Sequence, residues 1–203
     1  MLVKRSLLFL LLCSLVLATC SKKQIIRQYY VIELPQVTKV PETEQLHYNV
    51  DVRNFRVGQA FDQTRIAVRT DSHELNYYYY HHWAVKPSQA VADVVYEYLE
   101  QTNLFTQTFR GFSYSPDYLV TGEVKSLERV QKNNSWYARI DVRLELIDAE
   151  NELSVVENET NLSRALDGKS MNEFAIVSSQ LVLQASQAFF DKVVEHLRQQ
   201  NTP

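Results

Sequence analysis

The chain has 203 residues, 45% of them hydrophobic, with 21 basic against 24 acidic side chains and a net charge of −3. That balance suits a folded domain of ordinary size and excludes the basic face that nucleic acid requires. The two cysteines, Cys13 and Cys20, both lie near the N-terminus, which excludes a disulfide framework in the body.

The first residues have the order of an export signal. Lys4 and Arg5 precede an apolar run from Leu7 to Leu17, broken only by Ser14, and the small residues Ala18 and Thr19 lead into Cys20. The run is shorter than the roughly 17–25 apolar residues of a spanning helix. Leu17-Ala18-Thr19-Cys20 resembles a lipobox, the motif at which bacterial lipoproteins are acylated and cleaved, with Thr19 standing where Gly, Ala or Ser is usual. The expected organisation is a signal peptide over residues 1–19, an acylated Cys20 with a polar tether over 20–27, and one domain over 28–203. Loss of Lys4 and Arg5 leaves 184 residues with 19 basic against 24 acidic side chains, a net charge of −5. Ser21, where sorting to the inner membrane would favour Asp, implies the outer membrane, with the domain facing the periplasm.

Along the mature chain, Gln28–Leu34 reads as a strand ended by Pro35, and 36–45 as a connection. Tyr48, Val50 and Val52 alternate with polar residues and predict a half-buried strand over His47–Val57. Ile66–Arg69 and Glu74–Tyr80 predict two short strands around the turn Thr70-Asp71-Ser72. Pro87 and Ser88 open a helix whose Val91, Val94, Val95, Tyr98 and Leu99 share one face, with Leu104 and Phe105 in its exit. Three strands follow, over Tyr118–Val130, Trp136–Leu146 and Leu153–Ser163, with turns at Asn133-Asn134 and Asp148–Asn151. The middle strand alternates an apolar row with a row of mixed charge, the pattern of a sheet with one solvated face. Met171–Gln199 closes the chain as a long helix. Val177, Leu181, Ala185, Phe189, Val193 and Leu197 form its apolar row, flanked by Phe174, Val182 and Ala188. The order predicts an α+β fold, a mostly antiparallel sheet with two helices packed on one face.

Chemistry-bearing motifs are sparse. Gly58, Gly111, Gly122 and Gly168 are too far apart for a phosphate loop or a dinucleotide fingerprint, and neither G-x-S-x-G nor H-E-x-x-H occurs. His73, His81 and His82 with Asp71 and Glu74 are the nearest approach to a metal or acid–base cluster. Neighbouring His81 and His82 on a strand point to opposite faces, so they are poorly placed to share an ion. No catalytic residue, metal site or cofactor is expected. The N-x-S/T matches at Asn133, Asn158 and Asn161 carry no weight in a bacterial lipoprotein.

The most unusual segment is Leu75–Trp83, with four consecutive tyrosines followed by two histidines. Strict alternation puts Leu75, Tyr77, Tyr79, His81 and Trp83 on one face and Tyr78, Tyr80 and His82 on the other. The second row is either tucked under a loop or meets a partner, since Tyr and Trp favour such surfaces. Tyr78, Tyr80 and His82 are therefore the candidate partner surface, and Trp83 is expected to be buried above Val91.

These segments together resemble the ABC-type transport auxiliary lipoproteins, the PqiC-like family. The matching features are Tyr29–Leu34, Arg65-Ile66-Ala67-Val68-Arg69, Glu74-Leu75, Tyr77-Tyr78, Trp83-Ala84 before a helix, Leu104-Phe105, and Asp117-Tyr118-Leu119. The run Tyr79–His82 is longer and more aromatic than the family's usual stretch. The resemblance implies a non-catalytic subunit working beside an ABC permease and ATPase and a membrane-anchored MCE-domain protein, in the transport of lipids or other hydrophobic compounds. A homo-oligomer is compatible with it. A stand-alone lipid carrier and an outer-membrane assembly or scaffold lipoprotein remain the alternatives.

Overall fold

A computed structural model describes residues 26–112 and 115–200. The fold is α+β, as expected: nine strands in one sheet and two α-helices among the described residues. The strands are β1 (Gln28–Tyr30), β2 (Leu46–Val52), β3 (Arg56–Val57), β4 (Arg65–Asp71), β5 (Glu74–Trp83), β6 (Phe105–Arg110), β7 (Tyr118–Lys132), β8 (Ser135–Asp148) and β9 (Ser154–Ala165). The helices are α1 (Pro87–Thr102) and α2 (Met171–Gln200).

The sheet is built around β7. One of its edges pairs antiparallel with β8 along nearly its full length, and β8 pairs antiparallel with β9. Its other edge takes three parallel partners in succession: β2 at Tyr118–Val120, β3 at Glu123–Val124 and β4 at Glu128–Val130. Beyond them, β6 runs parallel to β2, β5 runs antiparallel to β4, and β1 runs parallel to β5. The sheet is thus mixed, antiparallel through the long meander and parallel where the N-terminal strands join it.

Local chemistry explains the boundaries. Asn133 and Asn134 both have positive φ (49° and 63°), the geometry of a two-residue type I′ hairpin, and Asn tolerates it better than most residues. Pro87 occupies the first turn of α1, and Asn103 closes that helix in the left-handed conformation, its N–H donating to Leu99 O at 3.0 Å. Ser170 Oγ accepts from Asn172 N (3.2 Å) and Glu173 N (3.4 Å) to open α2, while the Glu173 carboxylate reaches back to Gly168 N (3.1 Å).

Both helices pack on the face formed by Val50, Val52, Val120, Val124, Leu127, Ala138, Ile140, Val142, Leu144 and Leu146, all of them buried. From α1 come Val91, Val94, Val95 and Leu99; from α2 come Phe174, Leu181, Ala185, Phe189, Val193 and Leu197. The apolar stripe of α2 is wider than its sequence row. Ala188 faces solvent and Val177 is half-buried, while Phe190, Ser178, Ser179 and Ser186 are buried. Each of these serines satisfies its hydroxyl on the carbonyl four residues back, so the helix buries them without an orphaned donor.

Three strand expectations are corrected. The strand expected over His47–Val57 breaks at Arg53–Phe55, because Phe55 turns into the core against Gly122. A Cβ on Gly122 would lie 2.7 Å from Arg143 O and 3.2 Å from the Phe55 ring, so only glycine admits that packing. The exit after Leu104 continues as the strand β6. The strand expected over Gln28–Leu34 ends at Tyr30. The next ten residues form a strap over the helices: Glu33 N donates to Ser179 Oγ of α2 (3.1 Å), and Val40 N donates to Thr102 O at the end of α1 (2.8 Å). Ile32, Leu34 and Val40 of the strap pack against the core.

Trp83 is 1% exposed, its indole 5.5 Å from the Phe174 ring, in the same core cluster as Val91. Truncating it leaves a cavity between sheet and helices. Trp83→Ala is expected to cost roughly 3–5 kcal/mol, read as a lowered midpoint in urea unfolding. A midpoint equal to the wild type would contradict the packing described.

Candidate functional site

The lipobox residues Leu17, Ala18 and Thr19 and the acceptor Cys20 lie outside the described residues. The candidate surface that the structure does describe is the aromatic end of β5 with its neighbour β1.

The alternation expected for Leu75–Trp83 fails in its middle. Ala67 of β4 pairs with Tyr77 and Arg65 pairs with His82, so the four residues Tyr78–His81 stand opposite the single residue Ile66. A bulge of this size reorients every side chain within it. Tyr78, Tyr80 and His82 accordingly do not form one outward row. Tyr78 is half-buried against the core and its hydroxyl accepts from Arg129 Nη1 at 2.9 Å. His82 is 7% exposed. Its Nε2 lies 3.1 Å from Tyr79 O and its Nδ1 3.5 Å from Thr64 Oγ1. A carbonyl only accepts, so Nε2 is the donor in that contact. Tyr80 alone of the three is exposed, in edge-to-face contact with the more exposed Tyr79, their centroids 4.7 Å apart. Tyr29 of β1 lies 5.6 Å from the His82 ring and is also exposed. The outward aromatics are therefore Tyr29, Tyr79 and Tyr80.

Against Tyr78 lies a buried cation that the sequence reading did not single out. Arg129 sits on the helix-facing side of β7 and is 4% exposed. It donates to Tyr78 Oη, Lys169 O (2.9 Å) and Met171 Sδ (3.3 Å), and its guanidinium lies 4.0 Å from the Trp136 ring centroid. A tyrosine, a carbonyl and an indole thus stand where a carboxylate would otherwise compensate the charge. The signal available was an arginine at an inward position of an otherwise apolar row, two residues after Leu127. Its neighbour Glu128 points to the other face, fully buried, and is held by Arg69 (3.0 Å) and Arg139. The rest of that face is the expected charge ladder: Arg143 reaches Glu145 at 2.9 Å and Glu157 at 3.7 Å, and Lys125 meets Glu159 at 2.7 Å.

The histidines do not converge. His73 is exposed and bonded to Ser72 Oγ (2.8 Å), and His81 is bonded to Tyr30 Oη (3.0 Å). Among the described residues, no group of three or more His, Cys, Asp or Glu side chains is placed to hold a metal ion. No described helix is long and apolar enough to cross a membrane.

Two outcomes follow from this geometry. Tyr78→Ser removes the acceptor from buried Arg129 and is expected to cost roughly 1–3 kcal/mol. Tyr80→Ser is expected to stay within about 0.5 kcal/mol of wild type. Urea unfolding of the two single variants distinguishes them, and equal midpoints would mean that the bulge is misplaced. The second outcome concerns His81, whose pKa is lowered by burial first, then by Arg129 and His82. The folded state therefore binds this proton less readily than the unfolded chain. The contribution to stability is full above the unfolded value of about 6.5 and is lost as pH falls below it towards the folded pKa. Wild type should lose more stability than His81→Asn between about pH 7 and about pH 5. Parallel pH profiles for the two proteins would remove His81 from the account.

Comparison with known proteins agrees with the architecture. A family model described as "ABC-type transport auxiliary lipoprotein component" matches residues 30–189. A solved structure of a Xanthomonas campestris protein assigned to the family model DUF330 superposes with a TM-score of 0.75 at 19% identity, covering 86% of this chain and 99% of that one. A second solved structure, of a protein described as uncharacterized, gives a TM-score of 0.64 at 10% identity over 82% and 98% of the two chains. At these identities both are likenesses of fold. No curated protein matches the chain significantly.

Proposed function

Because the chain belongs to the ABC-type transport auxiliary lipoprotein component family, we propose that it is a non-catalytic lipoprotein subunit of an MCE-linked envelope transport system for lipids or other hydrophobic compounds. Residues 1–19 are its signal peptide, Cys20 its acylated anchor, 20–27 its tether and 28–203 its one working domain. The domain faces the periplasm from the outer membrane, beside an ABC permease and ATPase and an MCE-domain protein.

The observation that carries the reading is the family match over 30–189 on a chain that also has a lipobox-like cysteine ten residues upstream. The structure contributes a physical argument of its own. The space between helices and sheet is filled by Trp83, Phe105, Phe174, Phe189 and Phe190. Clefts beside the strap, of about 210 and 130 Å³, are smaller than the roughly 300–1,000 Å³ of typical small-molecule sites. A concavity of about 520 Å³ along Thr43–Tyr48 is an open trough. The subunit reading therefore has more support than that of a stand-alone lipid carrier, which needs an enclosed apolar cavity.

Fatty-acid labelling with affinity purification from mildly solubilised envelopes tests the proposal. The wild type should incorporate label and copurify with the MCE-domain protein and permease. Cys20→Ala should lose the label, because the lipid is attached through the missing sulfur. Equal label in both would remove the anchor; labelled protein without the transport partners would favour the scaffold reading.

A further inference from the structure

Three features converge at one edge of the sheet. The first is apolar exposure. Ile26, Tyr29, Val31, Tyr79, Tyr80 and Val85 are all exposed, Ile26 and Tyr79 at 70% and 67%. They lie on β1 and β5 or beside their ends: Tyr29 packs on His82, Tyr79 on Tyr80, and Val31 and Val85 line one cleft. The second is position relative to Cys20. β1 runs parallel to β5 with Gln28 opposite His81, so the chain enters the sheet at the end where Tyr79 and Tyr80 stand. Ile26 is six residues from Cys20, a distance that a fully extended chain spans with about 20 Å. The third is charge. Residues 20–27 hold Lys22, Lys23 and Arg27 and no acid, whereas 28–203 hold the other 16 basic residues against all 24 acidic ones, a net −8.

We propose that this edge rests on the surface of a lipid bilayer that carries acidic headgroups, with Tyr29, Tyr79 and Tyr80 seated at the headgroup level. The inference rests on the lipid-anchor reading above and adds an orientation to it. Tyrosine suits that depth because its ring is apolar and its hydroxyl stays wet. A basic segment beside an acyl chain adds a second membrane signal, and each such charge near an anionic surface is favourable. The acidic body is repelled by the same surface, so the domain stands on its aromatic edge and holds the meander hairpins away from the lipid. A second copy of the chain could bury the same side chains, but it would not explain why they lie where the tether enters or why the tether is basic.

The test uses the full acylated chain reconstituted into vesicles of phosphatidylethanolamine and phosphatidylglycerol with bromine on the acyl chains. Tyr79→Trp places a reporter in the edge. Leu153→Trp places one at the exposed β8–β9 turn, and wild type supplies the background of Trp83 and Trp136. Emission from Tyr79→Trp should shift to the blue and lose intensity to the brominated lipid, while that from Leu153→Trp should do neither. With mass spectrometry showing acylated Cys20, an unquenched Tyr79→Trp overturns this inference alone, and equal quenching of both reporters overturns the orientation. Unmodified Cys20 overturns the anchor reading, and this inference with it. A blue shift of Tyr79→Trp that depends on protein concentration without vesicles assigns the edge to a second copy and overturns it as well.

Discussion

The architecture depends on satisfying both edges of one long strand. The 15 residues of β7 present a donor or acceptor on each side at every step, and a buried strand can leave few of them unpaired. One edge is met by β8 through a two-residue turn, the least demanding connection available. The other is met piecewise by three short strands that arrive from elsewhere in the chain. The break at Arg53–Phe55 is where the supply passes from β2 to β3: Arg53 N still donates to Val120 O (2.8 Å), and Gly58 N donates to Val124 O (3.0 Å). Continuity of the hydrogen bonding survives although the strand does not.

The same strand separates two electrostatic regimes. Its outward side carries a ladder of ion pairs, Glu128 with Arg69 and Arg139, and Lys125 with Glu159. Inward, Arg129 has no carboxylate and is held by a phenol, a carbonyl, a thioether and an indole. Glu128 and Arg129 are adjacent in sequence, yet the pleat sends them to opposite faces and neither can neutralise the other. The exposed outward pairs, such as Lys125 with Glu159, tolerate replacement one partner at a time, whereas fully buried Glu128 depends on Arg69 and Arg139. The inward arrangement does not tolerate it, because its acceptors are fixed by the packing of β5 and by the entry to α2.

What was legible in the sequence divides along the same lines. The two helices, the meander, the Asn133-Asn134 turn and the buried Trp83 were readable because each rests on local periodicity or on a turn whose chemistry is local. The bulge at Tyr78–His81 was not, since both faces carry aromatics there and alternation offers no contrast by which to detect a shift. Nor was the strap: QYYVIEL has strand composition, but the residues after Tyr30 find their partners on Ser179 and Thr102 of the helices. The short β6 looked like a helix exit because Phe105 and Phe109 are separated by a stretch too brief to display a period. Arg129 was not singled out, since the register shift between Val124 and Ser126 interrupts the alternation that places it on the inward row with Leu127. The aromatic side chains that face outward in this region differ from the expected row: Tyr80 with Tyr29 and Tyr79, in place of Tyr80 with Tyr78 and His82.

The parallel pairing of β2, β3 and β4 with β7 also governs the order in which the molecule can assemble. Each of these strands waits for a partner that lies 61 to 68 residues further along the chain, and parallel neighbours cannot be closed by a hairpin. The meander from β7 to β9 has only short turns to form. It can therefore serve as the template, with the N-terminal strands added to it afterwards and β1 last, once β5 has docked. Non-local pairings of this kind slow folding and leave apolar strands uncovered in the meantime. A chain that emerges N-terminus first would spend that interval with Val50, Val52 and Ile66 unsheltered, and so would benefit from a chaperone along its route.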